Sequence, residues 1–264
     1  MRLIDKILLL SLFALSFLMK VSAAPIPRLS LAVDHAPPYS QINEEGDITG
    51  AIVDIAEAIQ ARVPFKIELV ACPFPRCLKM LEDGEVNAMG GLIRTVERQT
   101  QMHFLMPPYM ILSSSFVFYG RHDSELAVQN YGDLYGKKVA VMRGAAHFKR
   151  FDQDQKLEKI EALSEKNAID MLLKGRVDLV VAVEETAEHS MSVLNQPINK
   201  LKKMSYRYDD VIYGYFVLSR QFKNTPLAIE IEHHMKLLAQ SGELTDLVAP
   251  YNLPPIEQPT LGFY

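Results

Sequence analysis

The sequence predicts an α/β protein built from two similar lobes. Segments with the apolar spacing of strands alternate with segments that have helical spacing, and this order favours α/β layers with mainly parallel sheets. Residues 80–87 (MLEDGEVN) also resemble residues 171–178 (MLLKGRVD), and each segment has the pattern of a helix end, a glycine stop and a buried strand. This internal similarity indicates two α/β lobes; the alternative is chance use of a common helix–glycine–strand unit.

The elements of the first half follow from local patterns. The first predicted strand ends before Pro37 and Pro38, because two prolines in a row cannot continue a central strand. Apolar residues recur at helical spacing from Ile52 to Val63, and Pro64 ends that helix. The predicted strands cover residues 28–34, 65–71 and 86–90, and the predicted helices cover residues 52–63, 76–82 and 95–102.

The second half repeats this order of elements. The continuous apolar run at residues 177–183 is expected for a strand that is covered on both faces. Predicted strands cover residues 138–141, 177–183 and 213–219, and predicted helices follow residues 144–146 and cover residues 164–173 and 226–240. Short crossing segments, one of them near residues 109–113, are expected to join the lobes.

Residues 1–23 predict a secretory signal peptide. A basic start with Arg2 and Lys6 precedes a 13-residue apolar run, ILLLSLFALSFLM, and small residues up to Ala23 form a cleavage site. No cysteine stands at the cut, so a lipid anchor is not indicated. The alternative is a buried core helix. We therefore expect the mature chain to be free in an exported, oxidising compartment, most simply a bacterial periplasm.

Composition excludes several classes of protein. Of the 264 residues, 48% are hydrophobic and 23% are charged, which is typical of a globular protein and not of a disordered chain. The net charge of −4 excludes a strongly basic nucleic-acid binder, so no nucleic-acid partner is expected. No apolar run reaches the roughly 18 residues of a membrane-spanning helix.

The two cysteines, Cys72 and Cys77, lie in the segment ACPFPRC. Two cysteines cannot form a disulfide framework or a four-cysteine zinc site. In an exported protein they favour a local disulfide, and the alternative is two unpaired buried thiols. The bond would close a small loop and stabilise the fold by roughly 2 kcal/mol on the chain-entropy description.

Motifs for catalysis, nucleotides and metals are missing from the sequence. The seven histidines are scattered, and neither an HExxH pair, a GxSxG elbow, a Walker sequence nor a GxGxxG loop occurs. We therefore expect no metal, no cofactor and no catalytic nucleophile.

The strongest signal for a binding site lies in residues 90–98, GGLIRTVER. A strand ending in Gly90 and Gly91 lets a ligand approach the backbone, and Thr95 caps the next helix, whose free N–H groups favour an anion. Arg98 lies in the first turn of that helix, where the helix dipole disfavours a cation. Because a guanidinium suits two-pronged carboxylate binding, Arg98 is a candidate ligand for a carboxylate; the alternative is a surface arginine.

Several segments, in this order, resemble the extracellular solute-binding proteins of family 3. They are VDHAPPYS, GDITGAIVDIAEAI, LEDGEVNAMGG, TVER and PPY, and the resemblance runs from about Leu29 to Tyr251. It implies two α/β lobes joined by two hinge segments, a periplasmic binding protein type II-like fold with the ligand cleft between the lobes. We expect lobe 1 to contain residues 24–110 and 217–264, and lobe 2 to contain residues 111–216.

The resemblance also implies site residues. By similarity, Arg98 binds the carboxylate of the ligand, Asp34 ends the first strand at the cleft, and Tyr39 and Phe74 supply aromatic walls. Gly91 lies at the strand end before Arg98, and Ile93 stands where the family usually has a hydroxyl residue.

The second lobe departs from the family pattern. Gly144-Ala145-Ala146 replaces a stretch with hydroxyl side chains, although its backbone N–H groups remain able to hold a carboxylate, and Arg143 is an additional candidate cation. The position near Val183, where the family places an acid for an α-ammonium group, is apolar. Either Glu184 or Glu185 reaches the cleft, or both cap the next helix.

The resemblance implies a periplasmic receptor for an ABC importer. Such a protein would be a monomer and not an enzyme, would capture a small carboxylate-bearing ligand, an amino acid or a related compound, and would deliver it to a permease in the inner membrane. Two alternatives remain: an enzyme on the same scaffold, similar to cyclohexadienyl dehydratases, and a ligand-sensing partner of a membrane receptor.

Overall fold

A computed structural model describes residues 25–112 and 116–254. The predicted signal peptide lies outside the described residues. None of the helices in these two ranges is long and apolar enough to cross a membrane.

The described residues form strands and helices that alternate along most of the chain. Strands β1 to β13 are Arg28–Val33, Ser40–Ile42, Ile48–Gly50, Lys66–Ala71, Ala88–Ile93, Met102–Phe104, Met110–Leu112, Phe116–Arg121, Lys138–Met142, Glu158–Ala162, Leu179–Val183, Leu201–Tyr208 and Ile212–Ser219. Helices α1 to α8 are Ala51–Gln60, Phe74–Asp83, Val96–Gln101, Lys149–Gln153, Glu165–Leu173, Glu184–Val193, Pro226–Ser241 and Glu243–Val248. Short 3-10 helices lie at Tyr131–Leu134, Ile198–Lys200 and Ala249–Tyr251.

Two sheets define two lobes. In lobe 1 the strand order is β4-β1-β5-β13-β6, with β7 also paired to β13; in lobe 2 it is β10-β9-β11-β8-β12. Strands β2 and β3 form a small antiparallel hairpin beside lobe 1. The predicted α/β architecture with two lobes is confirmed, but each sheet is mixed and not mainly parallel. Strands β13 and β8 run antiparallel to their neighbours because each enters its sheet directly from the other lobe.

The internal sequence similarity corresponds to equivalent places in the two lobes. Helix α2 ends at Gly84 and helix α5 is followed by Gly175, and both glycines have a positive φ. The next backbone N–H reaches back to the last turn in each case, from Glu85 to Met80 O (2.8 Å) and from Arg176 to Met171 O (2.9 Å). This is the pattern of a Schellman helix end. The strands that follow, β5 and β11, then hold equivalent positions in their sheets.

The chain crosses between the lobes twice. It leaves lobe 1 after β7 and enters lobe 2 with β8. The predicted first boundary, between residues 110 and 111, falls inside β7, whose residues Met110 to Leu112 pair with β13 in the lobe 1 sheet. The chain returns between β12 and β13. The predicted second boundary, between residues 216 and 217, falls inside β13, whose pairing with lobe 1 strands runs from Ile212 to Ser219. The second crossing therefore lies at about residues 209–211.

Both sheets are covered by helices on their two faces. In lobe 1, helices α1, α7 and α8 bury one face and helix α2 buries the other. In lobe 2, helices α5 and α6 cover one face, and helix α4 with the segment around Tyr131 covers the other. The two apolar layers of each lobe fix the ends of the central strands, from which the cleft is built.

Cys72 and Cys77 form a disulfide, as the sequence predicts for an exported chain. Cys72 follows strand β4 and is 6% exposed, and Cys77 lies on helix α2 and is fully buried. The bond therefore attaches the first turn of α2, including Phe74, to the end of the sheet.

Replacing both cysteines, Cys72→Ser with Cys77→Ser, should lower the free energy of unfolding by about 2 kcal/mol because a small loop loses its closure. For a protein of this size, the loss corresponds to a fall in Tm of about 4–8 °C, measured by circular dichroism. A reducing agent should lower the Tm of the wild-type protein by a similar amount and leave the double variant unchanged. An equal effect of the reducing agent on both proteins would contradict this account.

Candidate functional site

A cavity of about 170 Å³ lies between the two lobes, and we call it the inner chamber. The ends of strands β1 and β5 line it from lobe 1, and the ends of β9 and β11 with the start of α5 line it from lobe 2. A larger space of about 620 Å³, the outer chamber, adjoins it. The residues that line both chambers form their junction: Asp34, Ala36, Phe74, Met142, Glu165 and Thr186.

Arg98 is the buried cation of the inner chamber, with 7% of its surface exposed. The hydroxyl of Thr95 accepts from its backbone N–H (3.2 Å), as expected for a helix cap. Its guanidinium donates to Ile93 O (2.8 Å) in lobe 1 and to Gly144 O (2.8 Å) in lobe 2. Burial lowers the pKa of Arg98 to about 10, so it stays charged at neutral pH. A guanidinium has five N–H donors, and donors beyond these two bonds remain for a ligand.

Gly90 and Gly91, in the middle of β5, have different structural roles. Both line the inner chamber, and Gly91 has a φ of 73°, which favours glycine. Gly90 leaves room for protein groups as well as for a ligand, because a Cβ there would lie 2.5 Å from Ile52 Cγ1 and 2.6 Å from the Tyr109 hydroxyl. Tyr109 can therefore form a wall of the chamber next to the strand.

Two acidic side chains line the junction, one from each lobe. Asp34 follows β1, and burial raises the pKa of its carboxyl to about 6. Glu165 is the first residue of α5 and accepts hydrogen bonds from the hydroxyls of Thr186 (2.8 Å) and Ser190 (3.4 Å). Burial outweighs these bonds and raises the pKa of Glu165 to about 7. Both groups therefore change their charge near neutral pH.

The predicted aromatic walls also lie at the cleft. Phe74 starts helix α2 and lines both chambers. Tyr39 lines the inner chamber, and burial raises its pKa, as do the nearby carboxylates of Glu185 and Glu165. Both rings offer flat apolar surface for an aliphatic chain of a ligand.

In lobe 1 the structure brings the predicted residues together. The inner chamber is lined by all six of them: Arg98, Asp34, Tyr39, Phe74, Gly91 and Ile93.

In lobe 2 the structure places two predicted residues outside the chambers. Arg143 lies outside both chambers and pairs with Glu161 (2.9 Å) across the lobe surface, because the residue before it, Met142, is the one that faces the cleft. Glu184 also lies outside the chambers and pairs with Lys203. Glu185 follows it on helix α6 and lines neither chamber. The acids at the start of α6 are thus placed as first-turn residues of a helix, which the helix dipole favours.

The segment Gly144-Ala145-Ala146 is partly as predicted. Ala145 and Ala146 line the inner chamber, but the backbone N–H of Ala145 already donates to Met142 O (3.0 Å). The carbonyl oxygen of Gly144 accepts a hydrogen bond from Arg98 of lobe 1. This segment therefore interacts with the arginine through an acceptor and not through its N–H donors.

Sequence reasoning missed Glu165, Thr186, Tyr109 and His147, which all line the inner chamber. Glu165 follows the helix cap Ser164 and therefore resembles an ordinary first-turn acid. Strand β10 before it has the charged sequence EKIEA of an edge strand, so the sequence carried no clear signal that Glu165 follows a strand end at the cleft. Among the described residues, no group of three or more histidines, cysteines or acids could hold a metal ion.

Two α/β lobes around a cleft that is lined by a buried arginine and two carboxyls are the arrangement typical of proteins that bind small molecules between their lobes. The chain belongs to the bacterial extracellular solute-binding proteins, family 3, whose model matches residues 29–253. The resemblance inferred from the sequence is thereby confirmed.

Relatives and solved structures agree with this assignment. A protein of Escherichia coli strain K12, named for arginine binding and an ABC transporter, is 29% identical over 175 residues, 66% of this chain and 69% of that protein. An arginine-binding periplasmic protein of Mannheimia haemolytica is 24% identical over 215 residues, 78% of this chain and 83% of the relative. A histidine kinase sensor domain with similarity to periplasmic binding proteins has a TM-score of 0.72 at 19% identity and covers 86% of this chain and 96% of its own. This likeness shows the fold alone.

Replacing Glu165 by Gln should stabilise the protein without ligand more at pH 8 than at pH 5. The pKa of Glu165 is about 7 in the folded chain against an ordinary value of 4.5, so the stability of the native protein falls as the pH rises through that window. Glutamine removes this loss, and we expect a gain on the order of 1–3 kcal/mol at pH 8, measured by chemical denaturation. The control is Glu184→Gln, which removes a surface ion pair and should show no such gain. Equal effects of Glu165→Gln at both pH values would contradict the assignment.

Proposed function

We propose that this protein is a periplasmic solute-binding protein that captures a small carboxylate-bearing ligand, an amino acid or a related compound, for an ABC importer. The observation that carries the proposal is the buried guanidinium of Arg98 in the inner chamber. A buried arginine without a carboxylate partner is costly unless a ligand completes its hydrogen bonds. The two oxygens of a ligand carboxylate can accept parallel hydrogen bonds from the N–H groups of the Arg98 guanidinium.

The position of the cleft supplies the binding mechanism. The inner chamber takes residues from both lobes, so a ligand in it touches both and binds the closed form better than the open one. Arg98 already bonds to carbonyl groups of both lobes, and a ligand held by Arg98 therefore meets lobe 2 directly. Ligand binding shifts the population toward the closed form, which is the form that a permease would recognise.

Location and partners follow from the same proposal. A cleaved segment at residues 1–23 would export the chain, and the disulfide suits an oxidising compartment. The relatives named for arginine binding support an amino-acid-like ligand. The partner would be a permease of the inner membrane, and the protein would act as a monomer.

A second candidate is an enzyme on the same scaffold. Glu165, with a pKa of about 7, has the acidity of a general acid at neutral pH. An enzyme would consume the compound that binds in the cleft, whereas a receptor returns it unchanged. Chromatography of the bound compound after incubation separates the two candidates.

Replacing Arg98 by Ala should strongly weaken ligand binding. We expect a fall in affinity of about 30- to 1000-fold, because a buried charged partner of the ligand is removed. A thermal-shift screen of residues 24–264 against amino acids, polyamines and organic acids supplies the ligand, and a ligand at 100 times its Kd adds about 2.7 kcal/mol of stability.

The matched control for this variant is Arg143→Ala, which removes an arginine outside both chambers and should bind the same ligand with unchanged affinity. Equal losses in the two variants, or a folded protein that no carboxylate stabilises, would contradict the proposal.

The importer role has a test in cells. Deletion of the gene should abolish uptake of the radiolabelled ligand found in the screen, and the wild-type gene should restore it while the Arg98→Ala gene should not. Normal uptake after deletion, with loss of a ligand-dependent transcriptional response, would favour a sensing partner of a membrane receptor.

A further inference from the structure

The turn that follows strand β9 is the part of lobe 2 that contacts Arg98, and we call residues 144–147 the cleft turn. Gly144 has a φ of 74°, and its carbonyl oxygen accepts a hydrogen bond from the Arg98 guanidinium (2.8 Å). A Cβ at Gly144 would lie 3.1 Å from Cδ2 of Leu78, so the turn also packs closely against lobe 1. The position of the cleft turn therefore decides whether Arg98 has an acceptor in lobe 2.

Two acceptors fix the plane of the Arg98 guanidinium. Nη1 donates to Ile93 O in lobe 1, and Nη2 donates to Gly144 O in lobe 2, each at 2.8 Å. Because a guanidinium is planar, bonds from two of its nitrogens determine the direction of its other N–H groups. Without the Gly144 acceptor, the guanidinium could rotate about its bond to Ile93, and a ligand would have to restore the orientation at a cost in affinity.

Asp152 of helix α4 holds the far end of the cleft turn. Its carboxylate accepts from the backbone N–H of His147 (2.9 Å) and from Nδ1 of the same ring (3.1 Å). An ionised carboxylate only accepts hydrogen bonds, so the ring proton lies on Nδ1. The two bonds fix the backbone and the side chain of one residue together. Among the described residues, Asp152 and Arg98 supply the side-chain hydrogen bonds to the cleft turn.

Helix α4 gives Asp152 a fixed place in lobe 2. The helix has five residues, so its own hydrogen bonds stabilise it little. Phe148 and Phe151 are buried, and the ring of Phe148 stacks on Tyr208 with the ring centroids 4.3 Å apart. At the other end, the ammonium group of Lys159 donates to the carbonyl oxygens of Phe151 (2.7 Å) and Asp152 (2.8 Å). These contacts hold the helix in place independently of the Asp152 carboxylate.

Asp152 also acts on Arg98 through its charge. Burial lowers the pKa of Arg98, and the negative charge of Asp152 is the largest influence that opposes this shift. The hydrogen bonds of the guanidinium nevertheless go to carbonyl groups, and the carboxylate is engaged by His147. Asp152 therefore reaches Arg98 in two ways, through the position of the cleft turn and through its charge.

A purely structural role of Asp152 has a matched comparison in the same lobe. An acid that reaches back to a backbone N–H before its helix stabilises the start of that helix. Asp133 makes such contacts at a 3-10 helix, where it accepts from the N–H groups of Gln129 (2.8 Å) and Asn130 (3.1 Å), and it lines neither chamber. If Asp152 were only a helix cap, loss of either acid would affect stability and leave ligand binding unchanged.

We propose that Asp152 is a positioning residue for ligand binding. Through His147 it holds the cleft turn where the Gly144 carbonyl group accepts from Arg98, and it thereby orients the guanidinium toward a ligand carboxylate. Asp152 does not touch the ligand itself. The inference rests on the proposed role of Arg98 in binding that carboxylate.

The first test needs no ligand. NMR of residues 24–264 labelled with 15N-arginine follows the Nη protons of Arg98, whose signals are assigned by their loss in Arg98→Lys. Hydrogen bonds slow the exchange of these protons with water. We expect Asp152→Ala to speed exchange at Nη2 about tenfold or more, and Asp133→Ala to leave it unchanged. Equal exchange in wild-type protein and Asp152→Ala, or rapid exchange in both, overturns the proposal.

The second test measures binding of L-arginine by isothermal titration calorimetry. Asp152→Ala should weaken binding about tenfold or more, because the hydrogen bonds that hold the cleft turn to a charged group are lost. Asp133→Ala should lower the Tm by a similar amount and change the affinity less than twofold. Equal losses of affinity in the two variants would make the effect one of general stability and overturn the positioning role.

Asp152→Asn separates position from charge. Its amide oxygen can accept from the His147 N–H, and its NH2 group can donate to Nδ1 of the other neutral tautomer, but the side chain carries no charge. We therefore expect Asp152→Asn to restore slow exchange at Nη2 and an affinity within about threefold of the wild-type value. An asparagine variant as weak as Asp152→Ala overturns positioning and leaves an effect of charge alone.

The failures are distinguishable. If Arg98→Ala binds L-arginine as tightly as the wild-type protein, the proposed function fails and the role of Asp152 in binding fails with it. Weaker binding in Arg98→Ala with unchanged binding in Asp152→Ala overturns the positioning role alone. If folded wild-type protein does not bind L-arginine, that result counts against an arginine-like ligand, and proton exchange at Nη2 decides the role of Asp152.

Discussion

The burial of one guanidinium between two lobes is the constraint on which the cleft depends. Arg98 can be buried because backbone carbonyls on both sides accept its protons, one from Ile93 and one from Gly144. In lobe 1, Thr95 caps the short helix that carries Arg98, and this helix follows β5 directly. The guanidinium therefore reaches the carbonyl group of Ile93 at the end of β5. In lobe 2 the acceptor belongs to a turn at Gly144, where a φ of 74° exposes the carbonyl group. The closed arrangement of the lobes therefore contains a charged contact that a ligand can share.

The half of the site in lobe 1 was predictable because its residues follow strand ends whose faces are clear from the sequence. In lobe 2 the predictions for Arg143 and Glu184 were each one residue away from the side chain that faces the cleft. Met142 and Val183, the last residues of β9 and β11, line the inner chamber, while the next residues, Arg143 and Glu184, form surface ion pairs. Residue type alone favoured the charged neighbour, and only the place where each strand ends distinguishes the two.

The strands that the sequence did not reveal are mostly strands at sheet edges or strands joined to the hinge. Strand β10 has the sequence EKIEA and β12 has LKKMSYRY, and both lie at the edges of the lobe 2 sheet. Edge strands carry charged side chains, which protect against pairing with other chains and weaken the hydrophobic pattern. Central strands such as β11 are covered on both faces and leave a clear apolar run. The same reasoning explains why Glu165, directly after an edge strand and a helix cap, resembled an ordinary surface residue.

The charges of the cleft also bear on closure without a ligand. With the lobes together, Asp34 and Glu165 both lose hydration, and their raised pKa values report that loss. Arg98 offsets only one negative charge, and its hydrogen bonds go to carbonyl groups and not to these acids. Closure over an empty cleft near neutral pH therefore requires protons to bind or charges to remain unpaired. A ligand that pairs with these groups removes this requirement, so the charged groups of the cleft disfavour the closed form in its absence.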